Sequence, residues 1–354
     1  MRARCTTPVK TRFTTAFLFV TLIAATACSG SLAQEPAVQA EPTAVVLTES
    51  EVQEAAPQSE SMPEITRSAF STAQIWTDQG VFCEQGCYLA DVSGDGLADF
   101  IVQDEDGIYV LRSSGAGFSA FEKWTEQGVF CQQGCSMGDA TGDGLADFIE
   151  QDDDGVYVLA SNGNGFDPFQ KWTAQGVTCE QGCFSADATG DGRVDFIAQD
   201  EDGIFVLPSS GQSFDAFIKW TEQGVFCEQG CYLADVNGDG SADFVAQDND
   251  GIYVLTSNGN GFNSPAKWTE QGVFCQQGCF VADVSGDGLA DFIVQDEDGI
   301  YVLSSNGSAF NPHVKWTTQG IFCQQGCYLA DVNGDGAADF VVQDNDGIYV
   351  LIAQ

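Results

Sequence analysis

The chain has 354 residues, with 40 glycines, 14 cysteines, a single histidine and a formal net charge of −40. Its 52 acidic residues against 12 lysines and arginines argue against nucleic acid and anionic membrane surfaces as partners, because phosphate binding needs clustered cations. The balance suits cation binding or a soluble extracellular surface, and many cysteines beside almost no histidine favour disulfides over zinc in an oxidising compartment.

At the N-terminus, Arg2, Arg4, Lys10 and Arg12 precede the short apolar run FTTAFLFVTLIAATA, the layout of a secretory signal peptide and too short for a comfortable membrane span. Two cleavage readings stand side by side. ATAC at 25–28 resembles a bacterial lipobox, giving a leader over 1–27 and a lipidated Cys28; SLA at 31–33 offers a small-x-small site before Gln34. Cysteine parity leans towards the lipobox, since losing Cys5 and lipidating Cys28 leaves an even twelve. Residues 28–66, rich in Glu, Pro and Ala, cannot bury enough apolar surface to offset ordering entropy and read as a disordered tether. The expected location is secreted or cell-surface, with a bacterial outer membrane reached only through the lipid anchor.

Residues 67–354 repeat themselves. Trp76, Trp124, Trp172, Trp220, Trp268 and Trp316 are each 48 residues apart, and QG, two cysteines, AD, GDG and DF follow at matching offsets except for small changes. Within a unit, YLADV, ADFIVQ and GIYVL are short β-branched and aromatic runs set off by the turn signals SGDG, DEDG and SSGAG. A fourth run from Phe118 through Trp124 makes four strands per unit, the content of a propeller blade. The last unit lacks its fourth strand, and the first Trp is preceded by a spare one, with Phe70 placed before Trp76 as Phe118 is before Trp124. The expected fold is therefore all-β: a six-bladed, monomeric β-propeller closed by an N-terminal strand that completes the last blade and removes exposed edges.

Asp91, Asp95 and Asp99 fall at helical spacing, but Gly94 and Gly96 between them make a helix unfavourable and allow the backbone to coil around one point. The pattern D-x-[S/T/N]-G-D-G-x-x-D matches the first half of a calcium loop, with side chains at positions 1, 3, 5 and 9 and a backbone carbonyl at 7. The six candidate sets are Asp91, Ser93, Asp95, Leu97, Asp99; Asp139, Thr141, Asp143, Leu145, Asp147; and Asp187, Thr189, Asp191, Arg193, Asp195 in the first three units. In the last three they are Asp235, Asn237, Asp239, Ser241, Asp243; Asp283, Ser285, Asp287, Leu289, Asp291; and Asp331, Asn333, Asp335, Ala337, Asp339. All-oxygen, flexible ligands without histidine or cysteine suit Ca2+, up to six ions, better than magnesium or a softer metal. The second acidic turn, QDEDG at 103–107 and its equivalents, reads as a solvated hairpin turn.

These loops, with ADF, DGIYVL and the SNGxGF turn at 161–166 and 257–262, resemble the FG-GAP/VCBS repeats of integrin α-subunit propellers and secreted bacterial proteins across residues 70–354. The resemblance implies a propeller, calcium in the blade loops, and adhesion or ligand recognition. The blades are also similar to those of mushroom integrin-like lectins, which bind sugars between blades. The chain departs from those lectins in carrying CxQGC ahead of the loop, where they have a Trp- and His-bearing segment, and in having six blades rather than seven.

The CxxxC pairs are Cys83/Cys87, Cys131/Cys135, Cys179/Cys183, Cys227/Cys231, Cys275/Cys279 and Cys323/Cys327. A tight turn at the intervening QG would bring each pair within disulfide reach. Pairing between neighbouring units is the alternative, and it would need the same contact to recur around the ring. The reading is structural, with a ring of rigid loops as a candidate binding surface. The six tryptophans are candidate sugar-stacking residues, weighed against a packing role between blades. His313 has no repeated partner and no nucleophile motif is present, so the sequence points away from an enzyme. It leaves a recognition or adhesion module for an extracellular protein, with a multivalent lectin as the alternative and a purely structural surface protein behind both.

Overall fold

The computed structural model describes residues 67–354; the expected leader over 1–27, the lipid site at Cys28 and the tether over 28–66 lie outside the described residues. The described residues form six four-stranded antiparallel sheets. Blade 1 runs Gly86–Ala90, Asp99–Asp104, Gly107–Leu111 and Glu122–Lys123. Blades 2 to 5 repeat it, and blade 6 consists of Gly326–Ala330, Asp339–Asp344, Gly347–Leu351 and, from the other end of the domain, Gln74–Thr77. The first strands line a central channel.

Each second strand is sandwiched between neighbouring blades, which explains its unbroken apolar run. Phe100, Ile101 and Val102 are all essentially buried even though successive side chains point to opposite faces. Phe100 packs with residues of blade 6, and Ile101 with Phe148 and Leu159 of blade 2. Asp104 pairs with Gly107 across a two-residue hairpin turn, as the DEDG signal anticipates.

The fourth strand is shorter than the sequence suggests. Only Glu122–Lys123 pair along the edge, and both are exposed. The ends of the expected run are taken into the spaces between blades, with Phe118 edge-on to Trp76 at 5.1 Å and Trp124 edge-on to Phe166 at 5.3 Å. A two-residue edge also leaves little unpaired backbone for another chain to join.

The ring closes as expected. Gln74 pairs with Val350, Ile75 with Tyr349, and Phe70 makes an antiparallel bridge to Ala353. Phe70 then meets Trp316 at 5.2 Å, repeating the Phe118–Trp76 contact. Removing residues 67–77 should leave Gly347–Leu351 as a bare edge and open one blade interface. The expected outcome is a markedly lower midpoint in thermal unfolding together with self-association in size-exclusion chromatography; a monomer of unchanged midpoint would show that closure contributes nothing.

Candidate functional site

The two ends of the blades carry different chemistry. Acidic loops join first to second strands at one end. At the other, the cysteine loops sit against the second-to-third hairpin turns, where Asp104 Oδ1 accepts the Glu84 N–H at 3.0 Å.

In every acidic loop the first aspartate is an acceptor for the loop's own backbone. Asp91 takes the Gly94 N–H on Oδ1 at 2.7 Å and the Gly96 N–H on Oδ2 at 2.8 Å. Both glycines have positive φ, 80° and 84°, which an L side chain rarely adopts, so the glycines make the coil possible. The middle Asp95 accepts the Leu97 N–H at 3.0 Å. The residue at position 3 also points inward: the Asn333 amide donates to Asp339 at 3.0 Å and the Thr141 hydroxyl to Asp139 at 3.3 Å.

The last aspartate is the buried one. Asp99, Asp147, Asp195, Asp243, Asp291 and Asp339 each have 0% exposure. Asp99 accepts the Ser113 N–H at 2.9 Å and the Ser93 N–H at 3.2 Å. Burial, partly offset by those amides, pushes its carboxyl up to about 6, and neighbouring Asp95 and Asp91 add to the rise. Asp243, Asp291 and Asp339 rise to about 7 for the same principal reason.

The donor chemistry therefore suits a hard cation, all oxygen and with a carboxyl that lacks charge compensation. Yet among the described residues no three His, Cys, Asp or Glu side chains stand close enough together to enclose a metal ion. The loop amides take the carboxylate oxygens instead. Two loops also have an internal cation on the middle aspartate, Arg193 on Asp191 and Arg67 on Asp335 at 2.6 Å.

Two residues of this arrangement escaped sequence reasoning. The Ser113 hydroxyl donates to the Val332 carbonyl of the preceding blade at 2.7 Å, and the serine recurs at 161, 209, 257 and 305. Gln103 donates its buried amide to the Val129 carbonyl of the next unit at 2.6 Å, and Gln343 closes the circle onto Val81 at 2.7 Å. Their signal was recurrence at fixed offsets, hidden because serine and glutamine read as turn and strand-end filler.

All six cysteine pairs are joined within their own blade, with Cα–Cα separations of 5.5–5.6 Å. They are Cys83–Cys87, Cys131–Cys135, Cys179–Cys183, Cys227–Cys231, Cys275–Cys279 and Cys323–Cys327, so pairing between neighbouring units does not occur. The expectation of a rigid binding loop needs one correction. The second cysteine of a pair belongs to the first strand rather than to the loop, with Cys87 opposite Val102, Cys231 opposite Ala246, Cys279 opposite Val294 and Cys327 opposite Val342. That position turns its sulfur towards the preceding blade, where the clamp glutamine waits. Gln343 donates to Cys87 Sγ at 3.2 Å, Gln247 to Cys279 Sγ at 3.3 Å and Gln295 to Cys327 Sγ at 3.3 Å, while Cys231 Sγ lies 3.4 Å from Gln199 Oε1. Cys87, Cys231, Cys279 and Cys327 are half-buried interface residues, and are not part of an open binding surface.

The bridged loops instead present a residue that the sequence did not single out. Phe82, Phe130, Phe226, Phe274 and Phe322, each immediately before the first cysteine, are 51–55% exposed. The tryptophans carried as ligand candidates are packing residues: all six are 5–6% exposed, each edge-on to a phenylalanine or buried in an inter-blade core. The second acidic turn is more than solvated, since Asp106 accepts from Lys123 at 3.0 Å and from the Tyr109 hydroxyl, which hold its carboxyl below the usual range.

Six four-stranded blades around a channel, with one acidic loop per blade, define a repeat-built β-propeller. The chain carries FG-GAP-like repeats, whose pattern matches residues 235–294 and 283–342. Its fold is similar to that of an Agrocybe aegerita lectin described for specific recognition of non-reducing terminal N-acetylglucosamine, with TM-score 0.58 and 22% identity over 76% of this chain and 80% of that one. It is also similar to part of the Photorhabdus luminescens Tc holotoxin pore, with TM-score 0.61 and 18% identity over 81% of this chain but 15% of that one. At such identities the likeness is one of fold alone. No curated protein sequence matches the chain significantly.

Two outcomes follow from these loops and strands. Each cysteine bridge closes so few residues that the chain-entropy model assigns it about 2 kcal/mol. The double change Cys131→Ser/Cys135→Ser should therefore cost about that much in denaturant unfolding. Glu150 takes the strand position of Val102 and Val294, is 9% exposed, and is pushed up to about 7 by burial, with Asp152 and Asp154 adding to it. Its folded-state affinity for a proton exceeds the unfolded one, so its contribution is full below about pH 4.5 and is lost as pH rises through about 7. Glu150→Val should then gain about 1–2 kcal/mol at pH 8, after allowance for screening, and much less at pH 4. Equal gains at both pH values would contradict this.

Proposed function

We propose that residues 67–354 act outside the cell as a non-catalytic, multivalent recognition and adhesion module that meets its ligand through the cysteine-loop face. The observation that carries this reading is the set of half-exposed Phe82, Phe130, Phe226, Phe274 and Phe322, each immediately before a disulfide-closed loop. Rigid aromatic side chains offer contact area at low entropic cost, and repetition around a ring multiplies weak contacts into avidity. FG-GAP-like repeats and six disulfides accord with an extracellular setting. The leader, with lipidation at Cys28 or cleavage before Gln34, would deliver the domain there, and 28–66 would space it from its anchor. An extracellular protein is the first ligand class. A glycan is the second, favoured by the fold shared with an N-acetylglucosamine-binding lectin.

Calcium belongs to this proposal. Asp91, Ser93, Asp95, the Leu97 carbonyl and Asp99, with their equivalents in the other five loops, would hold it. A bound ion would supply the positive charge that the buried aspartates lack. At ten times the dissociation constant each ion would add about 1.4 kcal/mol, so six would add roughly 8 kcal/mol, on the scale of a whole domain's stability. Loops 3 and 6, already served by Arg193 and Arg67, would bind more weakly than the other four.

Calorimetric titration with Ca2+ should resolve these two groups, and chelator should lower the thermal midpoint. Asp95→Asn should reduce the stoichiometry by one. A midpoint indifferent to calcium and chelator would remove the metal from the proposal. For recognition, a glycan array and an extracellular-protein array probed in calcium should give binding that Phe82→Ala/Phe226→Ala/Phe274→Ala together weakens at least tenfold, through lost avidity. Binding that survives this triple change would place the ligand elsewhere.

A further inference from the structure

The blades are not interchangeable at one place. At five of the six blade interfaces an aromatic ring from one first strand and an aliphatic side chain from the next pack against the same buried cluster. The pairs are Tyr88 with Met137, Phe184 with Leu233, Tyr232 with Val281, Phe280 with Leu329 and Tyr328 with Leu89. Each ring stands edge-on to the second-strand phenylalanine of the next blade, as Tyr88 does to Phe148 at 5.6 Å and Tyr232 to Phe292 at 5.6 Å. Between blades 2 and 3 both partners are small. Ser136 replaces the ring and Ser185 the aliphatic residue, and their hydroxyls bond one another at 2.7 Å.

Two large-to-small differences at one contact leave a hole. A cavity of about 270 Å³ lies there, lined by Ser136, Ser185, Ile149, Gln151 and Phe196. Its mouth is formed by exposed Gln133, Glu180 and Gln181. The space above the first-strand glycine shows what has gone. A Cβ on Gly86 would lie 2.5 Å from the Tyr88 hydroxyl, whereas on Gly134 it would meet nothing nearer than Gln151 Oε1 at 3.9 Å. Phe196, at 2% exposure, lacks the edge-on first-strand ring that Phe148, Phe244, Phe292 and Phe340 receive.

The polar group is also in place. Tyr88, Tyr232 and Tyr328 donate their hydroxyls to the side-chain oxygens of Gln103, Gln247 and Gln343 at 3.0–3.2 Å. Gln151 is held in the same way as those glutamines, its amide bonded to the Val177 carbonyl at 2.8 Å, but Ser136 offers it no phenol. The space is large enough for a single substituted ring, and its lining joins Ile149 and Phe196 to the polar Ser136, Ser185 and Gln151, which suits a ring that carries a hydroxyl better than a bare hydrocarbon.

We propose that the interface between blades 2 and 3 is a binding site for a small phenolic ligand, whose ring packs against Phe196 and whose hydroxyl donates to Gln151 Oε1. The site is single, lies between first strands with its mouth between the bridged loops of blades 2 and 3, and uses none of the exposed phenylalanines, so it stands whether or not those residues bind a partner. Its chemistry is that of the tyrosine side chain supplied at three of the other interfaces by Tyr88, Tyr232 and Tyr328, where Phe184 and Phe280 supply a ring alone.

The probe is p-cresol, the tyrosine side chain cut at Cβ, titrated calorimetrically into the full chain, with toluene as the ring lacking a hydroxyl. One p-cresol should bind per chain, with toluene roughly tenfold weaker because the glutamine oxygen goes unpaired. Ser136→Tyr rebuilds the contact found at Tyr88 and should abolish binding while raising the thermal midpoint. Ser185→Leu fills the hole from the other blade and should weaken binding even if the tyrosine variant folds poorly. No p-cresol binding up to its solubility, toluene binding as tightly, or p-cresol binding unchanged in Ser185→Leu would each overturn the assignment.

Discussion

The structure depends on how six buried carboxyls are satisfied. Each closes an acidic loop and begins the second strand of its blade, at the point where the blade must also meet its neighbour. An ionised carboxylate in such a place is costly unless hydrogen bonds surround it. Asp99 collects amides from its own loop and from Ser113, which begins the next turn of the same blade. The same turn then reaches the preceding blade through the Ser113 hydroxyl. The carboxyl thus fixes three segments of one blade, and through the serine it fixes the blade's place in the ring.

A second set of bonds runs beside this one. The Ala98 N–H donates to the Asp331 carbonyl of blade 6 at 2.8 Å, and Ala146 donates to Asp91 in the same manner. Repeated through Val194, Ala242, Ala290 and Ala338, these contacts link all six loops into a closed circle of backbone hydrogen bonds. At the far end of the blades the glutamine clamp, Gln103 onto Val129 and its equivalents, closes a parallel circle with side chains. The sulfurs of Cys87, Cys279 and Cys327 rest against that clamp, which ties each bridged loop to the blade before it. Between the two circles lie the phenylalanine and tryptophan contacts. The tips of the cysteine loops stand outside that core, which leaves their aromatic residues available to solvent and to a ligand.

Repetition made most of this legible in advance. Blade number and the closing strand both follow from counting, because a missing strand at one end and a spare one at the other admit one economical solution. The GDG coil follows from two glycines in four residues, which a helix would not tolerate. The tryptophans were less legible, since an aromatic residue looks the same whether it stacks on a sugar or on Phe118. The exposed Phe82 and its equivalents carried the opposite ambiguity, apolar by type yet left outside the core just ahead of a disulfide.

Local pattern and count settle the strands, from their short β-branched runs, the turns, from glycine, and the ring of six, while the pairing of the cysteines is decided by the structure. Which side chains meet across blades is settled only by folding. Ser136 and Ser185 are one period and one residue apart in the chain, and nothing in either repeat says that they face each other at 2.7 Å. Likewise, the depth of Asp99 and the exposure of Phe82 are seen only in the folded ring. Periodicity dictates the blade because its bonds are local; the interface is a product of two surfaces, and exists only once both are folded against each other.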